Sequence, residues 1–211
     1  MTVAELYRSI QGEGRHVGLP MTFVRFAGCN LDCCYCDSRH ARDAGAPMTP
    51  AEILKACLAA PWRRVQLTGG EPALQPELPA LCGMLLDAGF EVILETNGTV
   101  DLAPIPRGVV KVMDIKTPGS GAAGDGCLTN VDLLGPDDEV KFVLTSRADF
   151  DWAAGRTLAL DLPGTCTVLF SPAVPLLSPA DLAAWILESG LDVRFNPHLH
   201  RQIWIDDLRG R

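Results

Sequence analysis

No window of the 211 residues approaches eighteen consecutive apolar side chains, so a helix crossing a bilayer is not expected. Residues 1–13 form a short mixed stretch that includes Glu5 and Arg8. They lack the basic and apolar segments of a secretory signal. Positive charge is scarce: 18 Lys and Arg stand against 26 Asp and Glu, a formal net charge of −8. That balance disfavours broad contact with a phosphate backbone and points to a small-molecule substrate, not nucleic acid. Repeats and low-complexity tracts are absent. Apolar material is not in short supply. Hydrophobic residues make up 47% of the chain, enough for a packed core, and the length suits one domain over residues 1–211.

Short apolar runs alternate with longer amphipathic ones. Residues 21–26 predict a strand running into a cysteine-rich loop. Thr49 at an N-cap, Pro50 after it and Glu52 at the third position predict a helix that runs to about Ala59. Residues 64–67 predict a strand ending in Thr68-Gly69-Gly70. Residues 77–88 predict a helix closed by Gly89. A strand over 91–95 ends in Thr96-Asn97-Gly98. Further strands are expected over 109–115, 139–144, 167–170 and 192–195. A helix over 178–188 has Ser178 as its cap and Gly190 after its end. Residues 117–138, rich in Gly, Asp and Pro, read as a long loop where a helix would otherwise stand. Strands separated by helices are the pattern of parallel βαβ units. The expected fold is α/β: an incomplete (β/α)6, TIM-like barrel with some helices reduced to loops. Chemistry in such a barrel sits at the C-terminal strand ends, where the polar and glycine clusters fall.

Eight cysteines are present, and four of them, Cys29, Cys33, Cys34 and Cys36, crowd into eight residues. With no secretory signal the expected compartment is the cytoplasm, where thiols stay reduced. Clustering then suggests metal ligation. Cys57, Cys82, Cys127 and Cys166 are scattered and read as small buried hydrophobes. The spacing Cys29-x3-Cys33-x2-Cys36 lets three thiolates converge from one loop. A structural zinc ion takes four ligands, and only Cys34 or His40 could supply the fourth. A [4Fe–4S] cluster on three cysteines leaves one iron open to chelate the amino and carboxylate groups of a cofactor. Both readings stand on the spacing alone.

Cys29, Cys33 and Cys36, followed by Gly69-Gly70-Glu71-Pro72 at a strand end, resemble the radical S-adenosylmethionine superfamily. The resemblance implies a [4Fe–4S] cluster on those three cysteines and S-adenosyl-L-methionine on the open iron. The Gly69 to Pro72 turn would bind the methionine amino group, and Tyr35 would pack near the adenine. Two glycines allow close backbone approach to a ligand. Gly98, Asp114, Ile115, Lys116, Ser171, Pro172, Ala173 and Val174, all at strand ends, would line the ribose, adenine and methionine carboxylate.

The ends of the chain carry a narrower resemblance. Ser9-Ile10-Gln11-Gly12-Glu13-Gly14, the run from Phe23 to Leu31, Cys36-Asp37-Ser38, Glu95-Thr96-Asn97-Gly98, Asp114-Ile115-Lys116, Ser171-Pro172, and His200 with Trp204 resemble the 7-carboxy-7-deazaguanine synthase family. That family contracts the ring of 6-carboxytetrahydropterin with loss of ammonia, as a step toward queuosine and other 7-deazapurines. The resemblance makes residues 1–20 a substrate-binding segment and residues 196–211 a tail near the active site. It implies substrate contacts from Ile10, Gln11, Gly12, Glu13, Arg25, Thr96 and His200. Chemistry agrees: Glu13 can accept from the ring N–H groups of a pterin, and Arg25 can pair with a carboxylate bidentately. His198 and His200 could also be surface histidines. Mg2+ is implied at Ser38, where the family's usual residue is Thr; the hydroxyl oxygen that suits a hard cation is kept. A flavodoxin or ferredoxin-type electron donor and a homodimer are the partners expected. Two other readings remain at this point: an activating enzyme that installs a glycyl radical on a protein partner, and a non-catalytic zinc-binding module.

Overall fold

A computed structural model describes residues 1–204. Nine strands form one sheet in the order β3-β1-β2-β4-β5-β6-β7-β8-β9. β1 (Thr2–Ile10) runs antiparallel to β2 (Pro20–Phe26). β3 (Ala46–Pro47) adds to the outer edge of β1. From β2 onward every pairing is parallel, through β4 (Arg64–Gly69), β5 (Glu91–Thr96), β6 (Val110–Asp114), β7 (Glu139–Leu144), β8 (Thr167–Pro172) and β9 (Arg194–Phe195). Parallel strands need crossovers. These are α1 (Pro50–Leu58), α2 (Leu78–Asp87), α3 (Arg147–Ala159) with the short α4 (Leu162–Thr165), and α5 (Pro179–Ser189). A last turn of helix, α6, spans Leu199–Ile203.

The crossovers β5→β6 and β6→β7 carry no α-helix. The long loop expected over 117–138 is there, folded into 3₁₀ turns at Pro118–Ser120 and Asp125–Leu133. The start of α1 is as its sequence dictates: Glu52 N–H donates to Thr49 Oγ1 (3.3 Å) and Thr49 N–H to Glu52 Oε2 (2.8 Å), a reciprocal cap. Five elements have no counterpart in the sequence reading. These are β1, α3 and α6, with the short β3 and α4. The last strand is shorter than expected, Arg194–Phe195 in place of 192–195.

Period-two alternation sorts each central strand into an outer apolar row and an inner polar row. Outward, Val24, Phe26, Val65, Leu67, Val92 and Leu94 pack on Ile53, Cys57, Leu81 and Leu85 of α1 and α2. Val140, Phe142, Val168 and Phe170 pack on Phe150 and Leu182 of α3 and α5. Each such side chain contributes about 1.5–3 kcal/mol on burial. Inward, Met21, Phe23, Ile93 and Val112 form a small apolar layer. Toward the C-terminal strand ends the inner row turns polar: Arg25, Thr68, Glu95, Asp114 and Lys141 all face one cavity. The registers Arg25↔Thr68 and Asp114↔Lys141 line them up side by side.

Candidate active site

The cavity, ≈ 210 Å³, opens at those strand ends. One wall is the loop after β2. Cys29, Cys33 and Cys36 line the cavity, whereas Cys34 does not. Cys34 instead ties the loop down: its N–H donates to Ser120 O (2.9 Å) and its thiol to Gly119 O (3.2 Å). His40, which also reaches the cavity rim, lies 3.3 Å from Glu5 Oε2. The two groups that could complete a four-ligand zinc site are therefore engaged elsewhere. Among the described residues, no three His, Cys, Asp or Glu side chains gather closely enough to share one ion. Three thiols spread along one wall fit a multi-iron cluster, which is held by separate thiolates. Burial pushes the Cys33 thiol up, and Lys116 pulls it back. A bound metal deprotonates a coordinating thiol outright.

The β4 end explains why glycines stand at 69 and 70. Gly70 N–H donates to Phe26 O (3.0 Å) and Glu71 N–H to Gly28 O (2.8 Å), so the turn lies flat on the start of the cysteine loop. Gly69 has φ +151°, and a Cβ there would sit 2.3 Å from Phe26 O. Both glycines face the cavity, and Glu71 and Pro72 lie behind them, outside its lining. Glu71 is fully buried. It accepts from Thr96 Oγ1 (2.6 Å), Asn97 N–H (2.6 Å) and Ala73 N–H (2.9 Å), which bolts the ends of β4 and β5 together. Burial pushes its carboxyl up despite those donors. Glu71→Ala strands two buried donors and should cost on the order of 3 kcal/mol, seen as a lower urea midpoint with an unchanged slope.

The remaining expected cofactor residues divide the same way. Tyr35, Asp114, Lys116, Ala173 and Val174 line the cavity; Gly98, Ile115, Ser171 and Pro172 do not. Gly98 has φ +71° and abuts Met113, Ile115 belongs to the outer core, and Ser171 Oγ accepts from Asn196 Nδ2 (2.8 Å). Lys116 pairs with Asp114 Oδ2 (2.9 Å) and lies 5.6 Å over the Tyr35 ring. Asp114 Oδ1 and the Tyr35 hydroxyl are buried with no hydrogen-bond partner among the described residues. Such orphans beside a cavity fit a polar, cationic cofactor that would satisfy them.

The expected substrate residues Ile10, Gln11, Gly12, Glu13, Arg25, Thr96 and His200 all line the cavity, as does Ser38, whose Oγ is 3.8 Å from Cys36 Sγ. Arg25 is partnered by the unread strand β1: its Nε donates to Glu5 Oε2 (2.8 Å) and its Nη2 to the Tyr7 hydroxyl (3.0 Å). The tail meets the N-terminal segment through Leu199 N–H to Gly12 O (2.9 Å) and Gly14 N–H to Asn196 Oδ1 (2.8 Å). His198 and His200 stack with centroids 5.4 Å apart. Burial holds the His200 imidazole below its usual range, hence neutral near pH 7. Residues 205–211 of the expected tail lie outside the described residues. Sequence reasoning quoted Glu95 and Asn97 within a motif without giving either a role, and did not single out Lys141; all three also face the cavity.

Residues 23–114 match the Radical SAM superfamily model. The fold agrees: QueE from Escherichia coli superposes with a TM-score of 0.75 at 19% identity, over 94% of both chains. TYW1 with a lysine-pyruvate adduct bound gives 0.58 at 13% identity, over 80% of this chain and 73% of that one. With the full-length relatives below, the superfamily match makes the chain a radical S-adenosylmethionine enzyme whose cofactors are a [4Fe–4S] cluster and S-adenosylmethionine. Its relatives narrow this further. A protein of Koribacter versatilis is 40% identical over 225 residues, covering all of both chains, and one of Chlorobaculum tepidum is 38% identical over all of this chain and 97% of the other. Both are 7-carboxy-7-deazaguanine synthases, and this chain belongs to that family. Membership sets aside the glycyl-radical activating enzyme and the zinc module.

Proposed function

We propose that this chain, as one radical S-adenosylmethionine domain, converts 6-carboxy-5,6,7,8-tetrahydropterin to 7-carboxy-7-deazaguanine with loss of ammonia, in 7-deazapurine biosynthesis. The observation that carries this reading is full-length family membership. It is joined by one cavity in which the cysteine wall faces Glu13, Arg25 and His200. When bound, the cluster and S-adenosylmethionine supply the one-electron, hydrogen-abstracting chemistry. Cys29, Cys33 and Cys36 would hold the cluster. Gly69 and Gly70 bring backbone close to the cofactor's methionine end, and Asp114, Lys116 and Tyr35 offer unspent polar capacity beside it. Glu13 accepts from ring N–H groups of the pterin. Arg25 keeps the outer fork of its guanidinium for the substrate carboxylate, because Glu5 and Tyr7 occupy only one Nη and Nε. The neutral His200 imidazole offers one donor and one acceptor nitrogen.

Ser38 would hold Mg2+ from the cavity side. Omitting Mg2+ should lower turnover roughly tenfold, and Ser38→Ala should blunt the response to added Mg2+. Electrons would come from a flavodoxin or ferredoxin-type protein. The four remaining cysteines support this, being scattered and buried, with burial pushing Cys57 to about 11 and Cys82 to about 12. Among the described residues, no helix is long and apolar enough to cross a membrane. All eight cysteines are free, which suits the reducing cytoplasm. A homodimer is the assembly we infer for this small open barrel. The test is anaerobic: reconstituted protein, dithionite, S-adenosylmethionine, Mg2+ and the pterin, with products read by mass spectrometry. Formation of 7-carboxy-7-deazaguanine supports the reading. Cofactor cleavage with the pterin untouched sinks the substrate assignment and leaves the radical core standing.

A further inference from the structure

Beneath the cavity, polar side chains from four segments close into a ring. Gln11 Nε2 donates to Gln66 Oε1 (3.0 Å), and Gln66 Nε2 donates to Glu95 Oε2 (3.3 Å). Lys141 Nζ donates to Glu95 Oε1 and, at 3.0 Å, to Glu13 Oε2. The backbone N–H of Glu13 returns to Gln11 Oε1 (3.3 Å), and that oxygen also accepts from Gly12 N–H (2.8 Å). Each amide is thereby fixed in orientation, because a flipped Gln11 or Gln66 would set like groups against each other. Lys141 is the ring's single cation. It is 4% exposed and also lies 3.5 Å from Asp114 Oδ2.

We infer that Lys141 is a positioning residue for the pterin: it closes this ring and so presents Glu13 and Glu95 to the cavity as a fixed pair of carboxylates. The inference rests on the pterin reading above. Two carboxylates facing one cavity would repel and swing apart without a cation between them. The ammonium between them removes that freedom, and the ring removes the freedom of the ammonium. The charges agree with the geometry. Burial would push the Glu13 carboxyl up; Lys141, the largest counterweight, holds it well below the usual range. Burial would likewise lower Lys141, yet Glu13, Glu95 and Asp114 keep it well above its ordinary value.

The groups facing Glu13 are Lys141, His198, His200 and the Asn196 amide. Those facing Lys141 are Glu13, Glu95, Asp114 and, more distantly, Lys116. Removing the Lys141 charge leaves burial unopposed by its largest counterweight, so the Glu13 carboxyl rises. A protonated Glu13 cannot accept from a second ring N–H. Pterin binding would then be present above the raised value and lost as pH falls through it. Both imidazoles remain in the variant, so the difference between variant and wild-type profiles isolates Glu13.

The experiment measures 6-carboxytetrahydropterin binding to cluster-loaded, S-adenosylmethionine-bound protein without reductant, by calorimetry from pH 5 to 8. Turnover and pterin-independent cofactor cleavage are measured alongside. Lys141→Met should raise Kd and KM at least about tenfold, add an acid limb absent from the wild type, and lower basal cofactor cleavage by less than it weakens pterin binding. A wild-type Kd and pH profile in Lys141→Met overturns the inference. So does a fall in basal cleavage in step with binding, which marks a structural role. If Lys141→Met lacks iron or native circular dichroism, Lys141→Arg decides. Its bulkier cation should raise Kd without adding the acid limb, and a wild-type Kd there also overturns the inference. If the wild-type protein itself binds no pterin, the functional reading has failed instead.

Discussion

Cys33→Ala is expected to give a folded protein that retains no stable cluster and makes no product. The side chain removed is small, so truncation costs on the order of 1 kcal/mol, well inside the stability of an ordinary domain. Its thiol is one of three facing the cavity, and no neighbour can replace it. Cys34 is adjacent in sequence but points to Gly119 O, and its N–H bond to Ser120 O holds its backbone in that orientation. Iron content, the visible absorption of the reconstituted protein and product formation should all collapse together, with circular dichroism unchanged. Cys34→Ala is the paired control and should keep both iron and turnover. Full iron in Cys33→Ala would mean that Cys34 rotates in, and the assignment of the three ligands would be lost.

The second large effect comes from a single methyl group. A Cβ at position 70 would lie 1.9 Å from Gly28 O and 2.9 Å from Cys29 Cβ. Both obstacles belong to the start of the cysteine loop, and the closer one is backbone, which cannot rotate away. Gly70→Ala should therefore lift the β4 turn off that loop. We expect a loss of about 3 kcal/mol together with weakened iron retention and weakened S-adenosylmethionine binding, because the same contact positions Cys29. Gly83→Ala is the comparison. That glycine sits inside α2, where nothing lies within 4 Å of the added carbon. It should stabilise the protein by about 0.5–1 kcal/mol. Urea titration of the two variants against the parent separates a specific clash from a general intolerance of change. Equal stability of Gly70→Ala and the parent would contradict the close approach.

The central strands were legible because their outer rows are continuous apolar runs between turn residues, and the cysteine spacing was legible because it is local. β1 was not, since its polar positions Glu5, Tyr7 and Arg8 break the run, and its reason for being extended is its partner β2. α3 carries Gly155 and charged residues along its length; its buried face is only Asp149, Phe150, Ala153 and Thr157. Lys141 is the instructive omission. An unpaired charge on an apolar strand is costly, so a cation such as Arg25 in a run of apolar residues must find partners. The same argument applies to Lys141, flanked by Val140 and Phe142, and to Glu95 at the end of an apolar run. The carboxylates that hold Lys141 lie far apart in the chain, at positions 13, 95 and 114, and only the sheet brings them to it. Glu71 shows the converse. Its motif marks the right turn, while its side chain points away from the cavity to join two strand ends.

The contact between Gly12 and Leu199, with that between Gly14 and Asn196, has a consequence for how the enzyme is made. A ribosome delivers the cysteine loop and the β4 turn early, and the ties from Cys34 to Gly119 and Ser120 follow at mid-chain. The side of the cavity proposed for the pterin has no such independence. Its N-terminal segment must wait for residues 196–204 to arrive and dock on it. A nascent chain can thus bring its three cysteines together before the side proposed for the pterin is complete.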